Sequence, residues 1–156
     1  MESPANALVT SEASIDVDAP PDAVYALVAN VTRMGEWSPE TVGADWRDGA
    51  TVVAGDWFDG HNKSGDREWT RPCEVARADS GKDFTFVVDG VDKNCTWWSY
   101  EMEAIPTGTR LTERWWIVNK TPAMQKVTEQ QFADRVAFTE TMLSDTIAAI
   151  KKVAES

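Results

Sequence analysis

Between residues 43 and 118 the sequence predicts consecutive β-strands with no helix between them. Apolar and polar residues alternate in these segments, and dipeptides such as Asp48-Gly49 and Ser80-Gly81 stand at or near the junctions. Because glycine adopts positive φ angles at little cost, these dipeptides predict tight turns. Strands joined directly by turns form an antiparallel meander. The predicted strands are 43–48, 52–63, 66–78, 83–89, 94–105 and 109–118.

The C-terminal segment has a different, helical pattern. Pro122 suits a first helical turn, because the N–H that proline lacks would have no partner there. No glycine or proline follows it. We therefore predict one helix over 122–153, about 48 Å long at a rise of 1.5 Å per residue. Its apolar stripe repeats at 3.6 residues per turn and consists of Phe132, Val136, Thr139, Leu143, Ile147 and Ile150.

Another strand and two short helices precede this meander. Residues 1–10 have no periodicity, so we expect a flexible N-terminal tail followed by a single domain over 11–156. Alternation from Ala13 to Val17 predicts a half-buried strand. After Pro20 and Pro21, a single apolar helical face predicts a short helix that ends near Asn30. A second helical turn is expected in 31–39, which Pro39 prevents from continuing.

This order of elements predicts an α+β protein. One side of an antiparallel sheet is buried when a helix packs against it. With the first strand beside the last, a seven-stranded sheet can wrap around the long C-terminal helix. The two short helices then lie between strands 1 and 2.

The charge of the chain excludes several classes of partner. The net charge is −11, and no stripe of lysine and arginine is present. Nucleic acids and anionic membrane surfaces are therefore not expected as partners. No segment approaches the roughly 20 apolar residues that a membrane-spanning helix needs, so no membrane insertion is expected. Residues 1–9 lack the charged and apolar parts of a signal peptide. We expect a cytoplasmic protein, either a monomer or a homodimer.

Metal and cofactor chemistry has little support in the sequence. The two cysteines, Cys73 and Cys95, are predicted to be free thiols within strands. His61 is the single histidine, and no pair of cysteines has the spacing of a metal site. Glycine-rich phosphate-binding patterns are absent from the sequence. We therefore predict no metal and no cofactor.

Several short motifs occur in order along residues 12–152. Ile15-Asp16-Val17-Asp18-Ala19-Pro20 leads into the first helix, and Trp97-Trp98-Ser99-Tyr100-Glu101-Met102 lies in a late strand. In this order the motifs resemble the START-like (SRPBCC) superfamily, which includes polyketide cyclases, plant allergen-like carriers and actinobacterial proteins of unassigned role. The resemblance implies a helix-grip fold but no particular activity. The further matching segments are 24–28, 36–39, 55–62 and 108–115.

Alternation along the strands predicts which side chains face the space between sheet and helix. The chain has eight tryptophans, more than a core of this size needs, so some are expected to line a cavity. The parity of the 52–63 and 66–78 strands depends on whether Gly60 forms a β-bulge. The predicted ligand-binding residues are Phe58, Asn62, Trp69, Arg71, Phe86, Trp98, Tyr100, Met102, Glu113, Trp115, Phe132 and Val136.

Glu113 is the unusual member of this set, because a carboxylate among apolar side chains is costly unless it is paired. One interpretation is structural: an ion pair with Arg71, or a hydrogen bond to Tyr100 or to a tryptophan N–H. The other is functional: a polar anchor or a general base whose pKa is raised by burial. Glu113 is the candidate catalytic residue if the protein is an enzyme. His61 has the opposite parity and is expected to face solvent.

Three classes of function remain open from the sequence. The first is binding of a hydrophobic small molecule, such as a lipid, polyketide or isoprenoid, between the sheet and the C-terminal helix. The second, suggested by the resemblance, is a polyketide cyclase, dehydratase or aromatase-like enzyme that uses Glu113 with Tyr100, Asn62 and Arg71. The third is an interaction or regulatory module that uses outward tryptophans. Trp97 and Trp116 are its candidates, although we expect them to form a cross-strand pair.

Overall fold

The computed structural model describes residues 4–156 and confirms the predicted α+β helix-grip fold. The strands are β1 (Val9–Val17), β2 (Thr41–Trp46), β3 (Trp57–Ser64), β4 (Arg67–Asp79), β5 (Asp83–Val88), β6 (Thr96–Ile105) and β7 (Gly108–Ile117). The α-helices are α1 (Pro21–Val28), α2 (Pro122–Gln125) and α3 (Glu129–Ala154), and a 3-10 helix spans Val31–Glu36.

All seven strands form one antiparallel sheet in the order β1-β7-β6-β5-β4-β3-β2. Six of them follow one another as the predicted meander. The first strand lies beside the last, with Val9 opposite Ile117 and Val17 opposite Thr109. The segment that contains α1 and the 3-10 helix therefore connects the two edge strands of the sheet, β1 and β2.

The N-terminal boundary differs from the predicted one. Residues 1–3 of the expected flexible tail lie outside the described residues. Strand β1 begins at Val9, and Val9 and Thr10 continue its register with β7. The Leu8 N–H also donates to the Ile117 carbonyl oxygen at 2.7 Å. Alternation is too weak in this segment to extend the strand from sequence, so the pairing with β7 decides where it starts.

Strand β3 begins at Trp57, five residues later than predicted. The preceding residues form a loop in which Val52 has a φ of 61°. The Asp56 carboxylate organises this loop by accepting hydrogen bonds from the N–H groups of Thr51 and Val53, both at 2.9 Å. A local side-chain-to-backbone turn therefore replaces strand pairing.

The regular pairing of the strands is interrupted at two places that the sequence does not reveal. The register shifts between Thr41 and Gly43 in β2, and between Val75 and Arg77 in β4. Gly60 pairs regularly with Ala44 on one side and Arg71 on the other, so it is not a bulge. The predicted inward parity of β3 and of the first half of β4 consequently holds.

The prediction of one continuous C-terminal helix is wrong. Helix α2 ends at Gln125, and α3 begins after Thr128. The Thr128 hydroxyl accepts from the Gln131 N–H at 3.1 Å, and the Gln131 side chain accepts from the Thr128 N–H at 2.9 Å. This reciprocal capping box satisfies two amide groups that a helix start would leave unpaired, and it therefore starts a new helix without any glycine or proline.

The main core lies at the end of the sheet that α1 and the second half of α3 cover. Val24, Phe84, Leu111 and Ile150 are fully buried there. A second, smaller cluster contains Trp115, Ile117 and Leu143, with Phe132 and Val136 packed against it. Within residues 4–156, no helix has the length and apolar character that crossing a membrane requires.

Candidate functional site

A cavity of about 460 Å³ lies between the inner face of the sheet and the first half of α3. Aromatic side chains from five strands form much of its wall, and Phe132 from α3 lies across from them. Phe58 packs edge-on against Phe86, with ring centroids 5.1 Å apart. Trp98 and Trp115, on adjacent strands, have centroids 6.0 Å apart. The strand aromatics are Phe58, Trp69, Phe86, Trp98, Tyr100 and Trp115.

Every predicted ligand-binding residue except Met102 lines this cavity. Met102 shares the inward face of β6, but it belongs to the main core cluster, together with Val24 and Ile150. The difference arises because α1 and the end of α3 fill that end of the sheet. Alternation along a strand predicts which face of the sheet a side chain occupies. It does not predict where along the strand the core ends and the cavity begins.

Glu113 lies on β7 directly opposite Tyr100 on β6, and only 1% of it is exposed. The Tyr100 hydroxyl hydrogen-bonds the Glu113 carboxyl group. A hydrogen bond to Tyr100 was one of the structural interpretations of Glu113 that the sequence left open. The Glu113 Oε2 atom is buried and has no hydrogen-bond partner within residues 4–156. Glu113 therefore has one side-chain oxygen, Oε2, that no group of the described residues satisfies.

Burial raises the pKa of Glu113 to about 8, and the Tyr100 hydrogen bond opposes this only in part. The pKa of Tyr100 is also raised well above its usual value, first by burial and then by Glu113. At neutral pH the Glu113 carboxyl group is therefore protonated in most molecules. A protonated carboxyl group can donate a hydrogen bond as well as accept one.

The predicted ion pair between Arg71 and Glu113 is not formed. Arg71 pairs instead with Asp89, which follows β5. The cavity-lining Cys73 lies on the same strand as Arg71, and burial raises the pKa of its thiol to about 12. Cys73 is therefore a neutral part of the wall and not a nucleophile at ordinary pH. Asn62 accepts a hydrogen bond from Thr41 at 2.8 Å.

Glu40 and Arg135 also line the cavity, and sequence reasoning missed both. The Arg135 guanidinium, on α3, donates to Glu40 Oε1 at 2.8 Å. Only 6% of Glu40 is exposed. The two residues are 95 positions apart, Glu40 in a predicted loop and Arg135 on a polar helix face. Neither position carries a periodic signal that would have paired them.

The mouth of the cavity lies where its lining residues reach the surface. The exposed lining residues are Pro39, Arg67, Ala123, Val127, Gln131 and Arg135. The Arg67 guanidinium stacks on the Trp69 ring, 4.7 Å from its centroid. The break between α2 and α3, with Val127 exposed, forms part of the same rim. A ligand would therefore enter between the β3–β4 hairpin and the helix break.

The outer face of the sheet carries the remaining candidates. His61 does not line the cavity; its Nε2 contacts Asp45 at 2.8 Å and its Nδ1 contacts Thr70 at 3.0 Å. Trp97 and Trp116 stack across β6 and β7 at 5.5 Å, which confirms the expected cross-strand pair. Trp116 is 1% exposed, so it offers no surface to a partner.

Comparison with known proteins points to one family. Residues 9–155 match the family described as polyketide cyclase / dehydrase and lipid transport. The solution structure of the Polyketide_cyc-like protein Cgl2372 from Corynebacterium glutamicum is 31% identical, with a TM-score of 0.60. The match covers 94% of this chain and 88% of that protein. None of the curated proteins matches this sequence.

More distant structures share the fold alone. The Bacillus halodurans protein BH1534 is 16% identical, with a TM-score of 0.68 over 96% of this chain and 99% of that one. The di-domain ARO/CYC StfQ from the steffimycin biosynthetic pathway is 15% identical, with a TM-score of 0.72. The match to StfQ covers 96% of this chain but 50% of that protein. This chain therefore spans about half the length of StfQ.

Proposed function

The chain belongs to the polyketide cyclase / dehydrase and lipid transport family, and on this premise we propose that it binds a mainly apolar small molecule in the cavity between sheet and α3. The observation that carries the proposal is the cavity itself, about 460 Å³ in volume and walled largely by aromatic side chains. Small-molecule sites commonly measure about 300–1,000 Å³ and combine apolar walls with a few polar groups.

The energetics of this cavity favour an apolar ligand. Burial of roughly 200 Å² of apolar ligand surface is worth about 5 kcal/mol before ordering costs, at about 25 cal/mol per Å². Glu113 adds a polar anchor to this wall. Because its protonated oxygen is a donor near neutral pH, it suits a carbonyl or hydroxyl oxygen on the ligand. A lipid, a polyketide and an isoprenoid all combine these features.

Binding is tested with the neutral naphthalene dye Prodan, whose fluorescence shifts to the blue in apolar surroundings. We expect the wild-type protein to bind the dye and to melt at a higher temperature in its presence. The variant Val136→Trp places a large side chain into the cavity from α3 and should weaken dye binding by about tenfold or more.

The matched control is Ala137→Trp, which adds the same side chain at the adjacent, exposed position of α3. Its dye affinity should equal that of the wild type. If the wild type does not bind Prodan, or if both variants bind it equally well, a ligand-binding cavity is contradicted.

A second candidate function is an enzyme of the cyclase type. The observation that favours it is the buried Glu113, whose pKa of about 8 suits proton transfer near physiological pH. In such a reaction the carboxylate would remove a proton from a carbon next to a ligand carbonyl, leaving an enolate whose oxygen needs a donor. Tyr100 would hold the carboxyl group in position.

Proton exchange on a bound ketone tests this activity. At about pH 8, where Glu113 is partly ionised, the protein should accelerate exchange of the α-protons of β-tetralone in heavy water, followed by proton NMR. Glu113→Gln should lower the rate to that of buffer while Prodan still binds. Exchange that is no faster than in buffer, or that survives in Glu113→Gln, removes Glu113 from any such mechanism and leaves binding as the function.

A further inference from the structure

Within residues 4–156, two buried side-chain oxygen atoms have no hydrogen-bond partner: Glu40 Oε2 and Glu113 Oε2. Both residues line the same cavity. A buried polar atom without a partner has lost its hydrogen bonds to water without replacing them, so such atoms are uncommon. Their occurrence together at one cavity indicates two separate polar contacts for whatever occupies it. Glu113 supplies one of them, and Glu40 is left to be explained.

The protein holds Glu40 in place through its backbone and through one side-chain oxygen. The Ser38 hydroxyl oxygen accepts from the Thr41 N–H at 2.9 Å, and the Glu40 carbonyl oxygen accepts from the Lys63 N–H at 2.9 Å. The Arg135 guanidinium donates a hydrogen bond to Glu40 Oε1 at 2.8 Å. With its backbone and one oxygen fixed, Glu40 keeps the other oxygen in a defined position, as a preorganised binding group requires.

We propose that Glu40 is a second ligand-binding residue of this cavity, whose Oε2 accepts a hydrogen bond from a hydroxyl group, or another neutral donor, of a mainly apolar ligand. This inference rests on the proposed binding function and adds to it the polar chemistry of the ligand. The ligand class that fits is a hydroxylated apolar compound that also carries an oxygen acceptor for Glu113.

The charges around Glu40 favour a neutral donor over an ionised one. An acidic ligand group would be repelled by the carboxylate and would lose its hydration in a cavity walled by aromatic rings. A cationic group would compete with Arg135, which already neutralises Glu40. A hydroxyl group satisfies Oε2 without adding a charge to the site, and a hydrogen bond to a charged acceptor is stronger than one between neutral groups.

The test compares β-naphthol with its methyl ether, which has the same ring system but no donor. Both compounds displace Prodan from the wild-type protein if they bind in the cavity, and the displacement gives their affinities. We expect β-naphthol to bind about tenfold more tightly than the ether, because only β-naphthol can donate a hydrogen bond to the Glu40 carboxylate. This comparison needs no variant, so it stands even if a substitution at Glu40 disturbs folding.

Glu40→Gln then reverses the chemistry of the site. Arg135 should hold the amide oxygen of the glutamine, which places its NH₂ group where Oε2 was and replaces an acceptor with a donor. The preference for β-naphthol over its methyl ether, measured as the ratio of the two affinities within each protein, should disappear or invert. The matched control is Glu36→Gln, in the 3-10 helix, where an exposed glutamate pairs with Arg33 and does not line the cavity. This control should keep the wild-type preference.

The outcomes separate the two proposals. If the wild type binds Prodan but does not distinguish the two naphthalenes, the role of Glu40 is contradicted while the cavity function stands. If Glu40→Gln weakens the binding of β-naphthol, its methyl ether and Prodan equally, the role of Glu40 is only structural, through its ion pair with Arg135, and the inference fails. If Prodan itself does not bind to the wild type, the proposed function fails, and this inference fails with it.

Discussion

At the scale of single residues, Glu113 shows how a buried carboxyl group is accommodated without a cation. Its sequence neighbours on the inward face, Leu111 and Trp115, are both buried and apolar. A charged group there would need a partner, but Arg71 is paired with Asp89. The protein instead keeps Glu113 largely protonated, with Tyr100 as a hydrogen-bond partner. Desolvation shifts the pKa, and the proton takes the place of a counter-ion.

This arrangement predicts a specific pH dependence of stability. The pKa of Glu113 is raised from 4.5 to about 8 on folding. Its favourable contribution to the free energy of unfolding is therefore fully present below pH 4.5 and is lost as the pH rises through 8. The wild-type free energy of unfolding should therefore fall between these values, by up to about 4 kcal/mol. Glu113→Gln cannot titrate, so its stability should stay nearly constant over that range. Urea unfolding at several pH values measures both.

Glu103→Gln is the control for this experiment, because Glu103 is an exposed glutamate on β6. Its pH profile should parallel that of the wild type. Carboxylates such as Asp56 and Asp59, whose pKa values are lowered by hydrogen bonds, affect stability only at lower pH. Parallel profiles for the wild type and Glu113→Gln would contradict a raised pKa for Glu113.

At the scale of secondary-structure elements, the break between α2 and α3 shapes the mouth of the cavity. Thr121 caps α2 by accepting from the Met124 N–H, and Thr128 caps α3 with a complete capping box. Residues 126–128 between them form no helix. Val127, which lies in this break, is exposed and lines the cavity. A continuous helix would place this segment differently, so the caps determine the shape of the rim.

We therefore expect Thr128→Ala to destabilise the protein by about 1 kcal/mol, the usual value of a helix N-cap. The loss arises because the Gln131 N–H loses its acceptor, the Thr128 hydroxyl oxygen, whereas the backbone N–H of residue 128 remains for the Gln131 side chain. Thermal unfolding followed by circular dichroism measures the change.

Thr141→Ala provides the comparison in the same helix. Thr141 is exposed in the middle of α3, and its hydroxyl donates to the Ala137 carbonyl oxygen. Because alanine has the higher helix propensity, this variant should be as stable as the wild type or slightly more stable. Equal losses in the two variants would show that Thr128 has no special role as a cap.

At the scale of the whole molecule, the core and the cavity occupy different ends of the curved sheet. Helix α1 and the second half of α3 fill one end with apolar side chains. At the other end, the first half of α3 is held by the Glu40–Arg135 ion pair and by the small cluster around Trp115. A ligand that binds between sheet and α3 would add contacts in the space that the core does not fill. The stabilisation by Prodan expected above follows from this arrangement.

Much of the architecture was accessible from the sequence, because it depends on local patterns. Alternation along β6 and β7 places Trp98, Tyr100, Glu113 and Trp115 on one face regardless of the rest of the chain. The order of strands followed from turns and from the absence of helices between them. The helix break was also encoded locally, since Thr128 and Gln131 have the spacing of a capping box, although the absence of glycine and proline concealed it.

Other features depend on contacts between distant residues, and only the tertiary structure decided them. The choice of Asp89 over Glu113 as the partner of Arg71, and the pairing of Glu40 with Arg135, follow from how the curved sheet approaches α3. The position of the core along the strands, which separates Met102 from the cavity residues, has the same origin. Side-chain parity is a property of each strand, whereas the space enclosed between sheet and helix is a property of their packing. The sequence by itself therefore determined which residues face inward, and the packing left about 460 Å³ unfilled between them.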